Sequence, residues 1–154
     1  INALLLAVPP LMNSPDLEIT QNVINSLPEQ MRENQVEFNV TGGTHASAIF
    51  DKDGLLMYFA EDVGRHNAMD KVIGTALLNG NLDNAHMVCF SGRTSFELIQ
   101  KSAMAGIRVA VCIGAPSSLA VELANTFDMI LIGFHRGSEF NVYSGHDDIF
   151  FTKD

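Results

Sequence analysis

Two kinds of apolar pattern alternate along most of the chain. Short apolar or alternating blocks indicate strands, and these lie at 36–40, 45–50, 55–60, 87–90, 109–113, 129–134 and 140–143. Apolar residues that recur every three or four positions indicate helices with one buried face, and these lie at 63–78, 96–105 and 119–126. Helices that alternate with apolar strands predict a largely parallel sheet with helices on both faces, which is an α/β fold.

The front of the predicted sheet is a hairpin, because Asp51-Lys52-Asp53-Gly54 is a turn signal between two strands. This hairpin makes the predicted sheet mixed. Ahead of it, Ser14-Pro15-Asp16 predicts the start of a helix that ends near Leu27. The spacing of Ser26 and Glu29 then fits a capping box at the start of a short second helix.

Two details of the later helices follow from the same patterns. The apolar face of the helix predicted at 63–78 consists of Met69, Val72, Ile73, Ala76 and Leu77. At the start of the helix predicted at 96–105, Thr94 and Glu97 have the spacing of a capping box.

The composition narrows the possible partners. The chain has 154 residues, 47% of them hydrophobic, and a net charge of −9, which argues against non-specific nucleic-acid binding. It has no apolar run long enough to span a membrane.

Two isolated cysteines, Cys89 and Cys112, fall in predicted strands, so we expect core residues and a cytoplasmic protein. Because the chain starts at Ile1, we expect a fragment: a helical segment, 1–35, that follows a missing N-terminal part, and an α/β domain, 36–154.

Polar, glycine-containing corners mark the candidate binding site. Three of them follow predicted parallel strands, at 91–93, 114–118 and 135–137, and should open on the same rim of the sheet. Two lead into helices, whose first N–H groups favour an anion, and Arg93 and Arg136 could contact phosphate or a guanine edge. The plainer alternative is that these serines only cap helices and these arginines only face water.

Two further corners leave their roles open. In the stretch 61–74, His66 precedes Asp70 by four residues, so the pair could act as a general base with its orienting carboxylate, or serve only in structure. The glycines of Thr41-Gly42-Gly43-Thr44-His45 could contact a phosphate or only supply positive φ angles. The scattered histidines do not have metal-ligand spacing, so we expect no metal.

Together these motifs resemble the FdhD family of formate dehydrogenase accessory sulfurtransferases. The matching stretches are 41–45, 61–71, 91–98, 115–124 and 133–144, in that order. The resemblance implies a fold like that of the cytidine deaminases, a three-layer α/β/α arrangement with a mixed sheet, preceded by a helical segment. In a zinc deaminase two helix starts would carry His-x-Glu and Pro-Cys-x-x-Cys. Here the corresponding stretches are 63–67 and 93–96, so the resemblance implies that fold without zinc.

The resemblance also implies a function. Such proteins pass sulfur from a cysteine desulfurase to the molybdenum cofactor, as bis-molybdopterin guanine dinucleotide, before it enters the formate dehydrogenase apoenzyme. GDP should mimic one end of this cargo, and a homodimer is implied. The persulfide-carrying cysteine pair of the family is absent here and expected upstream, so this fragment alone should be inactive and holds no catalytic residue.

The implied cofactor-binding residues lie in the five corners or directly beside them. They are Thr41, Gly42, Gly43, His45, Asp62, Arg65, His66, Asn67, Ser91, Gly92, Arg93, Ser95, Ala115, Pro116, Ser117, Ser118, Phe134, His135, Arg136, Gly137, Ser138 and Glu139. Two other functions stay open at this point: a metal-free nucleotide hydrolase of deaminase-like fold that uses His66 and Asp70, and a non-catalytic chaperone of the molybdenum cofactor.

Overall fold

The structure is a computed structural model that describes residues 19–35 and 42–150. The strands are β1 (Ile19–Thr20), β2 (His45–Phe50), β3 (Leu56–Asp62), β4 (Met87–Phe90), β5 (Val109–Cys112), β6 (Ile130–Arg136), β7 (Glu139–Ser144) and β8 (Ile149–Phe150). The α-helices are α1 (Gln21–Asn34), α2 (Arg65–Leu78), α3 (Phe96–Met104) and α4 (Ser118–Thr126), with short 3₁₀ turns at Leu82–Asn84 and His146–Asp148. None of the helices in these residues has the length and hydrophobicity needed to span a bilayer.

The main sheet is mixed, as predicted. Its strand order is β3-β2-β4-β5-β6-β7; β4, β5 and β6 are parallel, whereas β2, β3 and β7 run antiparallel to their neighbours. The hairpin between β2 and β3 turns at Gly54, whose φ of 80° suits glycine. Oδ1 of Asp51 closes this turn by accepting hydrogen bonds from the N–H groups of Asp53 and Leu55. The prediction of a hairpin at the front of the sheet is therefore confirmed.

Helices cover both faces of the sheet and give three layers. One face of the sheet is covered by α2, α3 and α4. The apolar cluster buried there includes Met69, Leu98 and Leu123. The opposite face buries a second cluster, in which Ile24, Leu27 and other residues of α1 meet the strands. The short parallel pair β1–β8 joins the start of α1 to the end of the described chain. The predicted three-layer α/β/α fold with a mixed sheet is confirmed, and α1 forms one of its layers.

The predicted break in the first helical region is wrong. Ile19 and Thr20 are extended rather than helical, and α1 then runs without interruption from Gln21 to Asn34, with Pro28 inside it. The Thr20 hydroxyl accepts a hydrogen bond from the N–H of Val23 at 3.1 Å and caps this helix. A proline inside a helix removes one backbone hydrogen bond. Here Pro28 lies on the buried face of α1 with Leu27, so packing on the sheet offsets that loss.

Two smaller predictions are also corrected. Ser95, not Thr94, is the N-cap of α3, and no side-chain hydrogen bond caps that helix. Thr94 is instead buried and forms a parallel bridge with Pro116. Leu77, which was expected on the buried face of α2, is 65% exposed. The strand predicted at 36–40 and the helix start predicted at Ser14-Pro15-Asp16 lie outside the described residues.

Candidate functional site

Backbone hydrogen bonds join the three loops that follow β4, β5 and β6. The N–H of Gly114 donates to the carbonyl of Gly92 at 3.2 Å, and that of Thr94 donates to Ala115 at 3.2 Å. The N–H of Phe134 in turn donates to the carbonyl of Gly114 at 3.0 Å. The prediction that these loops open on one rim is confirmed, because each is bonded to its neighbour.

Two cavities lined by described residues open at this rim, and the larger lies beside the loop between β6 and β7. It has a volume of about 1110 Å³. Five predicted site residues line it: Phe134, His135, Arg136, Ser138 and Glu139. Its walls are completed by Gln21 at the start of α1, Ile113 directly after β5, His146, and residues 140–143 of β7.

A bulge in β6 shapes this cavity. The register between β6 and β7 shifts between Gly133 and Arg136, and Phe134 within the bulge has a φ of 52°. A left-handed backbone is rare for a bulky residue and costs about 1–3 kcal/mol. Phe134 is nevertheless 52% exposed, and its ring centre lies 6.4 Å from that of Tyr143. The backbone is therefore strained where an aromatic side chain is turned out to the rim.

Beneath the bulge, His135 ties the rim to α1. Its side chain is buried, its Nε2 lies 2.8 Å from Oδ1 of Asn25, and its ring stacks on Phe140 at 5.9 Å. Since Oδ1 of an amide only accepts, Nε2 carries the proton in this pairing. Burial, assisted by the charge of Arg32, lowers the pKa of His135 below its ordinary value, so the ring is neutral near pH 7.

The smaller cavity has a volume of about 370 Å³ and lies on the same rim. Its walls are the last turn of α1, with Arg32 and Gln35; the stretch 42–45; and Ser91 and Gly92 after β4. Ile113 lines both cavities, so the two are neighbours. Two hydrogen bonds hold this wall: the N–H of Ala46 donates to Oγ of Ser91 at 2.8 Å, and the Thr44 hydroxyl donates to Oε2 of Glu61 at 2.7 Å.

Asp62 organises the start of α2. It accepts the N–H of Gly64 at 2.9 Å and pairs with Nζ of Lys71 at 2.7 Å, and Nδ2 of Asn67 lies 3.4 Å away. Lys71 also donates to the carbonyl of Glu61 at 3.1 Å. Lys71 and the Gly64 N–H lower the pKa of Asp62 from 3.8 to about 2. Many hydrogen-bonding groups of this polar stretch are therefore paired with one another. Such internal pairing is typical of residues that stabilise the structure.

His66 and Asp70 each pair with a side chain of α3. Nε2 of His66 lies 3.6 Å from Oε2 of Glu97, and Asp70 bonds Nζ of Lys101 at 2.7 Å. These pairs join α2 to α3 along their exposed sides. The carboxylate expected to orient His66 is thus held by a lysine instead.

Both cysteines are buried and free. Burial raises the pKa of Cys112 to about 11 and also raises the pKa of Cys89 well above its ordinary value. A thiol must ionise to act as a nucleophile or sulfur acceptor, so these two are inert core residues. Among residues 19–35 and 42–150, no cluster of three metal-ligating side chains occurs.

The predicted site residues fall into three groups. Phe134, His135, Arg136, Ser138 and Glu139 line the larger cavity, and Gly42, Gly43, His45, Ser91 and Gly92 line the smaller one. The lining of these two cavities does not include Asp62, Arg65, His66, Asn67, Arg93, Ser95, Ala115, Pro116, Ser117, Ser118 or Gly137. Ser117 caps α4 by accepting the N–H of Ala120 at 3.1 Å, which is the plainer role considered for it. Thr41 lies outside the described residues.

Sequence reasoning missed the walls that α1 and β7 contribute. Arg32 and Gln35 were missed because the helical segment 1–35 was expected to lie outside the cofactor-binding domain at 36–154, whereas α1 lines the smaller cavity. In β7, the consecutive residues 139–143 all line the larger cavity, so a period-two pattern could not have identified them as its wall.

Comparisons with known proteins agree on one family. The sequence model of the FdhD/NarQ family matches residues 2–150. The chain is 48% identical to the sulfur carrier protein FdhD of Streptomyces coelicolor over 91% of its own length and 50% of that protein. It is 43% identical to the sulfur carrier protein FdhD of Saccharolobus solfataricus over 88% of its length and 53% of that protein.

A solved structure shares the fold. It is that of a protein from Desulfotalea psychrophila described as a formate dehydrogenase accessory protein, with a TM-score of 0.82 and 29% identity. The match covers 97% of this chain and 63% of that one. The chain thus spans about half the length of the curated relatives that it matches.

Proposed function

Because the chain belongs to the FdhD/NarQ family, we propose that it forms the cargo-binding part of a sulfur carrier protein that serves formate dehydrogenase. The cargo in this proposal is the molybdenum cofactor in its bis-molybdopterin guanine dinucleotide form. The chain holds that cargo while sulfur is added to it. The names of the relatives support the sulfur-carrier role.

The observation that carries the proposal is the larger cavity beside a strained bulge. Backbone strain persists where the surrounding structure enforces it, and it clusters at ligand sites. The cavity, at about 1110 Å³, is as large as the upper range of small-molecule sites. Phe134 is held in an unfavourable conformation and remains half-exposed at its edge.

The side chains of this cavity suit the guanine-diphosphate end of the cargo. The half-exposed ring of Phe134 offers a flat apolar surface for a base, and the ring of Tyr143 lies beside it at an interplanar angle of 40°. The exposed guanidinium of Arg136 fits two phosphate oxygens at once. The carboxylate of Glu139 can accept the N–H donors on the edge of guanine. The net charge of −9 does not oppose this, because donors within the cavity decide local binding.

In the proposed cycle the chain binds and orients the cargo, and the sulfur comes from elsewhere. Cys89 and Cys112 are buried, so a cysteine outside these 154 residues carries the persulfide. A cysteine desulfurase charges that cysteine, and the formate dehydrogenase apoenzyme receives the finished cofactor. A homodimer completes the assembly, and sedimentation equilibrium of the purified chain tests that part.

Calorimetric titration with GDP tests the cargo site. We expect saturable binding that weakens about tenfold in Arg136→Ala, the loss typical of one charge-assisted phosphate contact. Lys52→Ala is the matched control, because it removes one exposed positive charge from the hairpin turn at the opposite end of β2. An absence of binding at millimolar GDP, or equal binding by Arg136→Ala, would contradict the proposal.

The other two functions have less support. In a hydrolase built on His66, the expected orienting carboxylate was Asp70, but Lys101 engages Asp70, and His66 lines neither of the two cavities. Turnover of nucleosides that disappears in His66→Ala would favour that hydrolase. A chaperone that only shields the cofactor would bind apo-formate dehydrogenase and would not bind a desulfurase, so a pull-down with both proteins separates it from the sulfur carrier.

A further inference from the structure

The end of α2 carries the one asparagine of the chain that a glycine follows. Asn79 comes directly after the last residue of the helix, and Gly80 comes after Asn79. The backbone nitrogen of a glycine can approach the Cγ carbon of a preceding asparagine closely, because glycine has no Cβ to obstruct the approach. Asparagine is a thermolabile residue, and its loss of ammonia starts with this approach.

In the folded chain this pair is exposed, but its backbone is held. Gly80 has a φ of 72°, and an added Cβ there would meet no atom within 4 Å. Asn79 has a ψ of 0°, and the N–H of Gly80 donates to the carbonyl of Leu77 at 3.1 Å. The nitrogen of Gly80 can turn toward Cγ of Asn79 only if ψ of Asn79 rotates far from this value. The attack therefore requires the last turn of α2 to open.

Little packing opposes such an opening. Leu77 is 65% exposed and Leu78 is 89% exposed, so the last turn of α2 buries little apolar surface. Segments with few buried apolar contacts open locally at a lower free energy than global unfolding. The side chain of Asn79 donates through Nδ2 to the phenol oxygen of Tyr58 at 3.1 Å, and Asn81 donates to the same oxygen at 2.8 Å. Tyr58 therefore keeps one of these two donors when Asn79 moves away.

We propose that Asn79 is a site of spontaneous modification, at which local opening of α2 converts the asparagine to aspartate and isoaspartate. The backbone nitrogen of Gly80 forms a bond to Cγ of Asn79, and the bond between Cγ and Nδ2 breaks. The proton of the Gly80 N–H leaves with Nδ2, so that ammonia is released and a succinimide ring remains. Water then adds to one of the two ring carbonyls and opens the ring. No electron is transferred, and water is the only co-reactant.

The modification should weaken the end of α2 and leave the rim unchanged. A negative charge at the C-terminal end of a helix is disfavoured by the helix dipole, and Tyr58 loses one hydrogen-bond donor. The start of α2 is near Asp62, whose partner across the sheet is His45 of the smaller cavity. The 14 residues of the helix then extend about 20 Å away from that cavity. The inference therefore does not depend on the proposed function.

Peptide mapping by mass spectrometry tests the inference on the purified chain after incubation in a mildly alkaline buffer. Trypsin releases residues 72–93 as one fragment, which contains Asn79, Asn81 and Asn84, so the three are compared within one peptide. Asn84 is the matched internal control, because it is also exposed but precedes an alanine. In the folded chain we expect conversion at Asn79 to be at least about tenfold faster than at Asn84. An isoaspartyl methyltransferase should label this fragment, and Asn79→Gln should remove the label.

Urea distinguishes local opening from the effect of the sequence alone. In urea that unfolds the chain, conversion at Asn79 should be faster than in the folded chain, because the N–H of Gly80 is released from Leu77. The converted chain, separated by ion exchange, should have a Tm a few degrees lower than the unconverted chain. Equal conversion at Asn79 and Asn84 in the folded chain would overturn the inference. So would conversion that occurs only in urea, a methyl label that persists in Asn79→Gln, or an unchanged Tm of the converted chain.

Discussion

Replacing Gly133 by alanine adds one methyl group at a crowded point beneath the candidate site. A Cβ there would lie 2.7 Å from Cδ of Pro116, 2.9 Å from Cε2 of Tyr143 and 3.3 Å from Sγ of Cys112. The proline ring and the tyrosine ring are both rigid groups, so neither contact can be relieved by rotating a flexible end. One or both of the segments that carry them must move.

The expected loss follows from these distances. Overpacking by one carbon in a well-packed region costs about 1–3 kcal/mol, and two contacts below 3.0 Å favour a value near 2 kcal/mol. For a domain of this size that loss lowers Tm by about 4–8 °C. The φ of Gly133 is not in the left-handed range, so the loss is steric and not a matter of backbone conformation. GDP affinity should fall as well, since Pro116 and Tyr143 adjoin the rim.

Urea unfolding of the wild type and of two glycine variants measures this difference. Gly74→Ala is the matched control, because Gly74 lies in the interior of α2 and an added Cβ would meet no atom within 4 Å. It should stabilise the chain by about 0.5–1 kcal/mol, because alanine favours a helix over glycine. A Gly133→Ala chain within about 0.5 kcal/mol of wild type would refute the packing described here.

Three further predictions concern strain and charge. Phe134→Gly removes the left-handed strain, so unfolding in urea should show stability unchanged or raised by about 1 kcal/mol, while calorimetry should show weaker GDP binding. The pKa of His135 is lowered in the folded chain, so its contribution to the free energy of unfolding is complete above pH 6.5 and is lost as the pH falls. The plot of Tm against pH should therefore be less steep for His135→Gln. Part of the pH dependence should remain, because the pKa of His86 is also lowered. The pKa of Asp62 is also lowered, to about 2, so its contribution is present above pH 3.8 and is lost as the pH falls toward 2; Asp62→Asn should flatten the acid limb of the Tm curve by breaking the pair with Lys71.

The strands and later helices could be predicted because the spacing of their apolar residues along the sequence shows which residues are buried. β4 is found at the predicted bounds, and α3 differs from prediction by one residue at its end. α1 could not be predicted in the same way. Pro28 is a helix breaker by local rules, and only the sheet surface on which it packs makes an uninterrupted helix favourable. That surface comes from strands far along the chain, which a local pattern does not include.

The site was predictable to the level of loops but not of side chains. The rule that ligands gather at the carboxyl ends of parallel strands located the rim, and the bonds between Gly92, Gly114 and Phe134 place its loops together. The bulge could not be anticipated, because no glycine or asparagine marks the left-handed position that Phe134 occupies. Likewise, nothing in the spacing of His66 and Asp70 shows that Lys101 will hold the carboxylate.

Asp62 and Phe134 show how a residue that stabilises the structure differs from one that is available to a ligand. Asp62 lies in the most polar stretch of the chain, but its carboxylate is occupied by Lys71 and Gly64, so a ligand there would have to displace existing bonds. Phe134 lies in an ordinary apolar strand, but its backbone is strained and its ring is half-exposed, and the fold gains little from either. A group that already has hydrogen-bond partners must give up those bonds to bind a ligand, which costs free energy. An exposed aromatic surface, by contrast, gains free energy when a ligand removes it from water. On this energetic ground the bulge of β6, rather than the richer motif at the start of α2, is where the cargo should be sought.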